Sequence, residues 1–298
     1  DSMDWGPMHW GHAVSTNLLE WEDLPIALYP DEHGTIFSGC AVIDWHNTAG
    51  FGAEAMIAIF TYHLREGYES QGIAVSLDKG RTWHKYNEGN PVILPPADEP
   101  DFRDPKVFWY EKGGYWVMVL SVGPKVGFYT SPNLKEWTST SQFSTGYGTH
   151  GAPWEVPDLF ELPIDGGNRN KWVLTVSVMA GGLHDGRGVQ YFIGEFDGQT
   201  FISDDPPERI RWLDYGADFY ANISWSDMPD SRRILLGWMS NWTYAHDIPT
   251  QGWRGAMSLP RDVSLITVGD DVQLAQQPIQ ELSRLWSKSY ESAKELPL

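Results

Sequence analysis

A short pattern recurs along this chain and restricts its fold more than any other feature. Ala13-Val14-Ser15-Thr16-Asn17-Leu18-Leu19-Glu20-Trp21 resembles Ala74-Val75-Ser76-Leu77-Asp78-Lys79-Gly80-Arg81-Thr82-Trp83. Both resemble Tyr129-Thr130-Ser131-Pro132-Asn133-Leu134-Lys135-Glu136-Trp137, and Phe196-Asp197-Gly198-Gln199-Thr200-Phe201 is a looser fourth copy. Each copy reads as a strand end, a tight Asn or Asp turn, and an aromatic residue opening the next strand. The spacing of roughly 50 to 65 residues suits one four-stranded propeller blade per copy. Between the copies lie β-branched and aromatic runs such as Ala55–Tyr62, Tyr115–Leu120, Lys171–Val178 and Arg233–Trp238. Their continuous apolar character predicts strands covered on both faces. A helical pattern is confined to Pro278–Trp286.

Blades can be drawn from strands starting near Phe37, Phe102, Trp154 and Asp218. The Ala13 copy has almost nothing before it in this sequence. The expectation is therefore an all-β, five-bladed β-propeller over residues 1–277 whose first blade is incomplete, followed by a linker helix over 278–298.

Two segments carry chemistry. In Trp154-Glu155-Val156-Pro157-Asp158-Leu159-Phe160 a carboxyl sits between bulky apolar residues. Burial beside them disfavours the charge and would suit a general acid. In Phe102-Arg103-Asp104-Pro105 a second carboxyl adjoins a guanidinium, a setting that favours the ionised form. Two carboxyls held apart in this way are the equipment for breaking a glycosidic bond. The net charge of −19 argues against nucleic acid and anionic membrane as partners and fits a neutral substrate. The 16 Trp residues supply flat faces for sugar rings, although most are expected in the core. Cys40, the single cysteine, precludes an intrachain disulfide and reads as a small buried hydrophobe. No apolar run is long enough to span a membrane. The chain does not begin with Met and shows no signal peptide, so it reads as a processed or cropped product.

Read in order, Trp10-Gly11-His12-Ala13, Phe37-Ser38-Gly39, Phe102–Val107, Trp154–Leu159, Asp218-Phe219-Tyr220-Ala221, Trp253-Arg254-Gly255 and Leu259-Pro260-Arg261 resemble glycoside hydrolase family 32, the invertases, exo-inulinases and levanases. The likeness runs from about Trp5 to about Glu281, and ordered motifs are far more specific than any one of them. It implies a retaining hydrolase that releases fructose from β-fructosides such as levan, inulin or sucrose, without a cofactor or metal. Glu155 would be the acid/base and Asp104 the transition-state stabiliser. Arg103, Phe37, Ser38, Trp5 and Trp242 would contact the sugar, with Asp218 and Tyr220 behind them. The family's nucleophile, an Asp in a Trp-Met-Asn-Asp-Pro-Asn-Gly-type motif, has no counterpart in this sequence, so the chain as given would be inactive. The family's C-terminal β-sandwich is likewise missing. Many relatives carry Cys where this chain has Val156. The substrate class implies an extracellular or periplasmic protein. Two other readings stay open: a non-catalytic fructan-binding propeller, and an inverting arabinan or xylan hydrolase on the same scaffold.

Overall fold

Four strands run side by side around a common axis, and each is the innermost member of its own sheet. A computed structural model of the chain describes residues 6–64, 67–144, 146–184 and 186–287. It opens with a two-stranded antiparallel sheet of β1 (Trp10–Val14) and β2 (Glu22–Leu28). The next sheet is a meander of β3 (Thr35–Asp44), β4 (Ala55–His63), β5 (Glu69–Ser76) and β6 (His84–Lys85). It is followed by β7 (Phe102–Tyr110), β8 (Tyr115–Val122), β9 (Lys125–Ser131) and β10 (Thr138–Phe143). The third contains β11 (Trp154–Pro163), β12 (Asn170–Gly182), β13 (Gly186–Phe196) and β14 (Phe201–Ser203), with β15 (Arg211–Trp212) added to β13. The fourth contains β16 (Tyr220–Ser224), β17 (Ile234–Trp238), β18 (Arg261–Val268) and β19 (Asp271–Pro278). The architecture is thus an all-β propeller with four blades. All four of the longer apolar runs singled out in the sequence are strands.

The core is divided among wedges between neighbouring sheets. Met118, Leu120 and Val122 of β8 face Ile57 and Ile59 of β4. Val117 and Val119, on the opposite face of the same strand, meet Leu174 and Val176 of β12. Leucine and valine side chains of β12, β13, β17 and β18 fill the next wedge. Period-two alternation therefore sends every second residue to a different neighbour, and both sets are apolar. Leu28 and Trp10 of the small sheet close the last wedge against Phe60 and Ala74.

The repeated turns share one hydrogen-bond pattern. Asn17 Oδ1 accepts from the Leu19 and Glu20 N–H groups. Asn133 Oδ1 accepts from Lys135 and Glu136 in the same way. Asp78 Oδ1 takes the Thr82 N–H, and Asp197 Oδ1 takes those of Gln199 and Thr200. A serine two residues earlier bonds the turn side chain in three copies, through Ser15, Ser76 and Ser131. These are Asx-type turns, stabilised by a side chain that substitutes for a backbone acceptor.

Each innermost strand breaks register with its neighbour at the same end. The breaks lie between Ile36 and Gly39, Arg103 and Lys106, Glu155 and Asp158, and Tyr220 and Ile223. Asp104, Val156 and Ala221 have positive φ there, at 63°, 48° and 49°. For a β-branched valine this is a strained backbone. A bulge re-aims side chains that regular alternation would send into the wedges. The N–H groups freed from the ladder find other acceptors: Asp104 N–H donates to Thr61 Oγ1 at 3.0 Å, and Ala221 N–H to Ser177 Oγ at 3.0 Å.

Pro278–Trp286 differs from the helical expectation. It forms a 3-10 turn over Gln280–Leu285, held by Glu281 against Arg232 at 2.6 Å and by buried Ile279. A short 3-10 segment suffices because tertiary anchoring, not helix propensity, fixes it. Residues 288–298 lie outside the described residues.

Replacing Thr61 by the near-isosteric Val leaves the Asp104 N–H unpaired in a buried site. Urea unfolding is expected to register a loss of about 1–3 kcal/mol. A loss below about 0.5 kcal/mol, the level of an ordinary surface change, would mean that the hydroxyl does not hold the bulge.

Candidate active site

The four bulges deliver Phe37 and Ser38, Arg103 and Asp104, Glu155 and Val156, and Tyr220 and Ala221 to one cavity of about 370 Å³. Met8, His9, Trp10, Trp238 and Trp242 complete its wall. Glu155 and Asp104, 51 residues apart in sequence, thus share one axial pocket from adjacent blades.

The polar contacts differ from those the sequence suggested. Glu155 is not enclosed by apolar side chains. Its Oε2 accepts the Tyr220 hydroxyl at 2.6 Å, and its Oε1 accepts from Arg103 Nη2 at 3.0 Å. Trp154 is fully buried, but in the wedge behind the strand. Neighbours in a strand point to opposite faces, so adjacency in sequence is not adjacency in space. Arg103 lies closer to Glu155 than to Asp104, whose Oδ2 is 4.0 Å from Arg103 Nε. Burial works against the Arg103 charge, but Glu69, Asp104, Asp101 and Glu155 together more than offset it.

Asp104 also departs from expectation. Burial, followed by the negative charge of Glu155, pushes its carboxyl up to about 7, against the pull of Arg103 and of the Val156 N–H. The contact with Arg103 is too long to compensate for desolvation. Asp104 Oδ2 accepts the Val156 N–H at 2.9 Å, so this carboxyl caps the backbone bulge that carries Glu155.

Tyr220 touches Glu155 directly rather than standing behind the site, and burial and Glu155 raise its phenol well above the ordinary range. Asp218 is exposed, outside the cavity, and accepts the Tyr244 hydroxyl. It precedes β16 and misses the bulge that would turn it inward. Phe37 stacks on His63 with ring centroids 4.2 Å apart, Ser38 opens onto the cavity, and Trp242 packs 4.9 Å from Trp238. Trp5 lies outside the described residues.

Glu69 was not anticipated. It is buried, accepts from Arg103 Nη1 at 3.1 Å and from the Phe102 N–H at 2.8 Å, and faces His63. It stands 34 residues from Arg103 on the preceding blade, so no local signal marks it. Asp101 adds a third carboxylate to the same guanidinium at 2.6 Å. Cys40 is buried as expected, its thiol pushed up to about 11 by burial. Among the described residues no group of three His, Cys, Asp or Glu side chains gathers as a metal ion would require. Asn222 and Asn241, each in an Asn-x-Ser/Thr pattern, are buried and closed to glycosylation in the folded state.

Two carboxyls, a guanidinium and a phenol converging on an aromatic-walled cavity are the equipment of a glycoside-cleaving enzyme. The glycosyl hydrolases family 32 N-terminal domain matches residues 1–278, and the chain belongs to that family. It is 57% identical over 289 residues to a levanase of Bacillus subtilis (strain 168), covering 95% of this chain and 42% of the levanase. It is 40% identical to the extracellular exo-inulinase of Aspergillus niger, covering 96% of this chain and 59% of that protein. A fructofuranosidase from Schwanniomyces occidentalis, solved with fructose, superposes with a TM-score of 0.85 at 39% identity, over 93% of this chain and 56% of that one. The chain thus spans about half the length of the relatives it matches.

Asp104 provides a pH test. Its proton is held to about pH 7 in the folded protein but is lost near 3.8 from the unfolded chain. Between those values unfolding releases a proton, so this group's contribution to stability is full at low pH and fades as pH rises. Asp104→Asn cannot ionise. Its stability relative to the parent is expected to rise from about pH 4 to about pH 7 by up to a few kcal/mol. A difference that is flat across this window, measured by urea unfolding, would show that Asp104 ionises normally.

Proposed function

We propose that this domain contributes the acid/base and the stabilising carboxyl of a retaining hydrolase that releases fructose from β-fructosides, with levan, inulin and sucrose as substrates. The observation that carries this reading is the shared pocket of Glu155 and Asp104, with Arg103 and Tyr220 both bonded to the Glu155 carboxyl. Glu155 faces the open cavity on a bulge that Asp104 fixes, which suits a group that must reach a leaving oxygen. In the first step Glu155 gives its proton to that oxygen while a nucleophile attacks the anomeric carbon. In the second it takes a proton from the water that releases fructose. Asp104 accepts hydrogen bonds from ring hydroxyls, and its ionised form is favoured as the sugar gains positive charge. Trp238 and Trp242 offer ring faces to the sugar.

The fold reading extends in the same direction. β1 and β2 flank the Asn17 turn as β9 and β10 flank the Asn133 turn. They are the outer half of a fifth blade, and the nucleophile belongs to that blade's inner strand. On this reading 1–277 is the propeller domain and 278–298 the linker that follows it. The relative described as an extracellular exo-inulinase supports a secreted protein acting on fructose-containing saccharides. No helix among the described residues is long and apolar enough to cross a membrane.

Rescue kinetics on the full-length protein test the roles. Glu155→Ala is expected to lose about 10²–10⁴-fold on natural fructans. A substrate with a very good leaving group should still form the covalent intermediate, giving a burst, and azide should speed its release. Asp104→Asn should slow every substrate and gain nothing from azide. Rescue of Asp104→Asn and not Glu155→Ala would reverse the assignment. An α-anomer at first release would place the protein with inverting hydrolases.

A further inference from the structure

The axial pocket occupies one mouth of the propeller, and a second cavity of about 340 Å³ opens at the other. The two share no lining residue. The innermost strands run from one to the other: β7 carries Arg103 in the first and Trp109 in the second, about 20 Å along at ~3.3 Å per residue. We infer that this far mouth is a second saccharide-binding site, separate from the catalytic pocket, and that it holds a neutral fructan segment.

Three features carry the inference. The first is an aromatic platform held in place from two blades. Trp45, at the end of β3, is 56% exposed, yet its Nε1–H donates to Asp227 Oδ1 at 3.1 Å, 182 residues away beyond β16. An exposed indole is usually mobile, whereas this one is tethered by its N–H while more than half of its surface stays open to solvent. His46 packs on Trp109 at 4.7 Å and continues the aromatic wall.

The second feature is a set of polar groups at the wall. Arg233 gives one arm to Ser224 Oγ and the Trp225 carbonyl, and its guanidinium lies 5.1 Å from the Phe160 ring. Among the described residues its remaining N–H groups have no partner. Lys112, 3.6 Å from Glu161, supplies further donors, and Asp227, Glu111 and Glu161 supply acceptors. Hydroxyl-rich ligands need both kinds around an apolar face.

The third feature is charge. Three cations (Lys106, Lys112 and Arg233) and three carboxylates (Glu111, Glu161 and Asp227) line the cavity, and Lys106 is already paired with Asp158 at 3.5 Å. With Lys106 so neutralised, two cations face three carboxylates, and such a wall on a chain of net charge −19 disfavours an anion. A neutral polyol matches. The choice of a fructan among neutral saccharides rests on the function proposed above. A polymer held at both mouths would be retained between cleavage events.

Indole N–H resonances of the ¹⁵N-Trp-labelled protein, carrying Glu155→Gln to prevent turnover, provide the test. Trp45 and Trp242 are assigned by Trp45→Phe and Trp242→Phe. A levan-derived oligosaccharide is expected to shift both signals, with different midpoints. Trp45→Ala, an exposed position that should not disturb folding, should abolish the weaker event and leave the Trp242 response intact. In the active full-length protein it should raise KM for levan several-fold and leave KM for sucrose unchanged. If Trp242 responds and Trp45 does not, the second site is refuted while the axial reading stands. If Trp45 alone responds, the second site holds and the axial reading fails. A Trp45 response to xylan oligosaccharide equal to that for the fructan would overturn the choice of a fructan. No response from either indole would overturn both.

Discussion

Everything at the site depends on how β7 and β11 lie against each other at the axis. Arg103 meets Glu155, and Asp104 meets the Val156 N–H, both at an offset of 52 residues. Lys106 meets Asp158 at the same offset, 3.5 Å apart and almost wholly buried. A slip by one residue would break both ion pairs and the bond that Asp104 accepts, and an unpaired buried charge is far costlier than a broken surface pair. The Lys106–Asp158 pair is tied to the next blade by Ser224, whose N–H donates to Asp158 and whose carbonyl accepts from Lys106. The ionic contacts thus fix the register between blades, while the apolar wedges supply the driving force for packing.

The bulges convert that register into a site. In a regular strand Arg103 and Asp104 would face opposite sides, as would Glu155 and Val156. The register break lets neighbouring residues share the cavity wall. It also frees backbone N–H groups, which the preceding blade receives through Thr61 and Ser177. At the central blade the acceptor is Asp104 itself, and the Ser121 hydroxyl in the equivalent place has no partner among the described residues. The carboxyl proposed to stabilise charge on the sugar is therefore also the group that holds in shape the strand of the proposed acid/base. Any substitution at Asp104 has to be read with both effects in mind.

Much of this was legible in the sequence because it was local. The Asx turns at Asn17, Asp78 and Asn133 announced the blade repeat, and doubly apolar runs announced strands buried on both faces. The motifs around Arg103-Asp104 and Trp154-Glu155 named the carboxyls. What the sequence did not convey was their electrostatics. Trp154 suggested an apolar shell for Glu155, but its ring lies behind the strand, and the true neighbours come from 52 and 65 residues away. Arg103 suggested an ionised Asp104, but its guanidinium is divided among Glu69, Asp101 and Glu155. Asp218 adjoins Tyr220 in sequence, yet it precedes the β16 bulge, is exposed and does not line the cavity.

A ligand in the pocket tests the central claim most directly. In a crystal structure of the full-length protein carrying Glu155→Gln and a bound β-fructoside, the side-chain amide at position 155 is expected about 2.6–3.2 Å from the glycosidic oxygen. Asp104 and Arg103 should both lie on hydroxyls of the same fructosyl ring. A fructosyl unit seated anywhere other than between these two strands, or with its glycosidic oxygen turned away from position 155, would contradict the account.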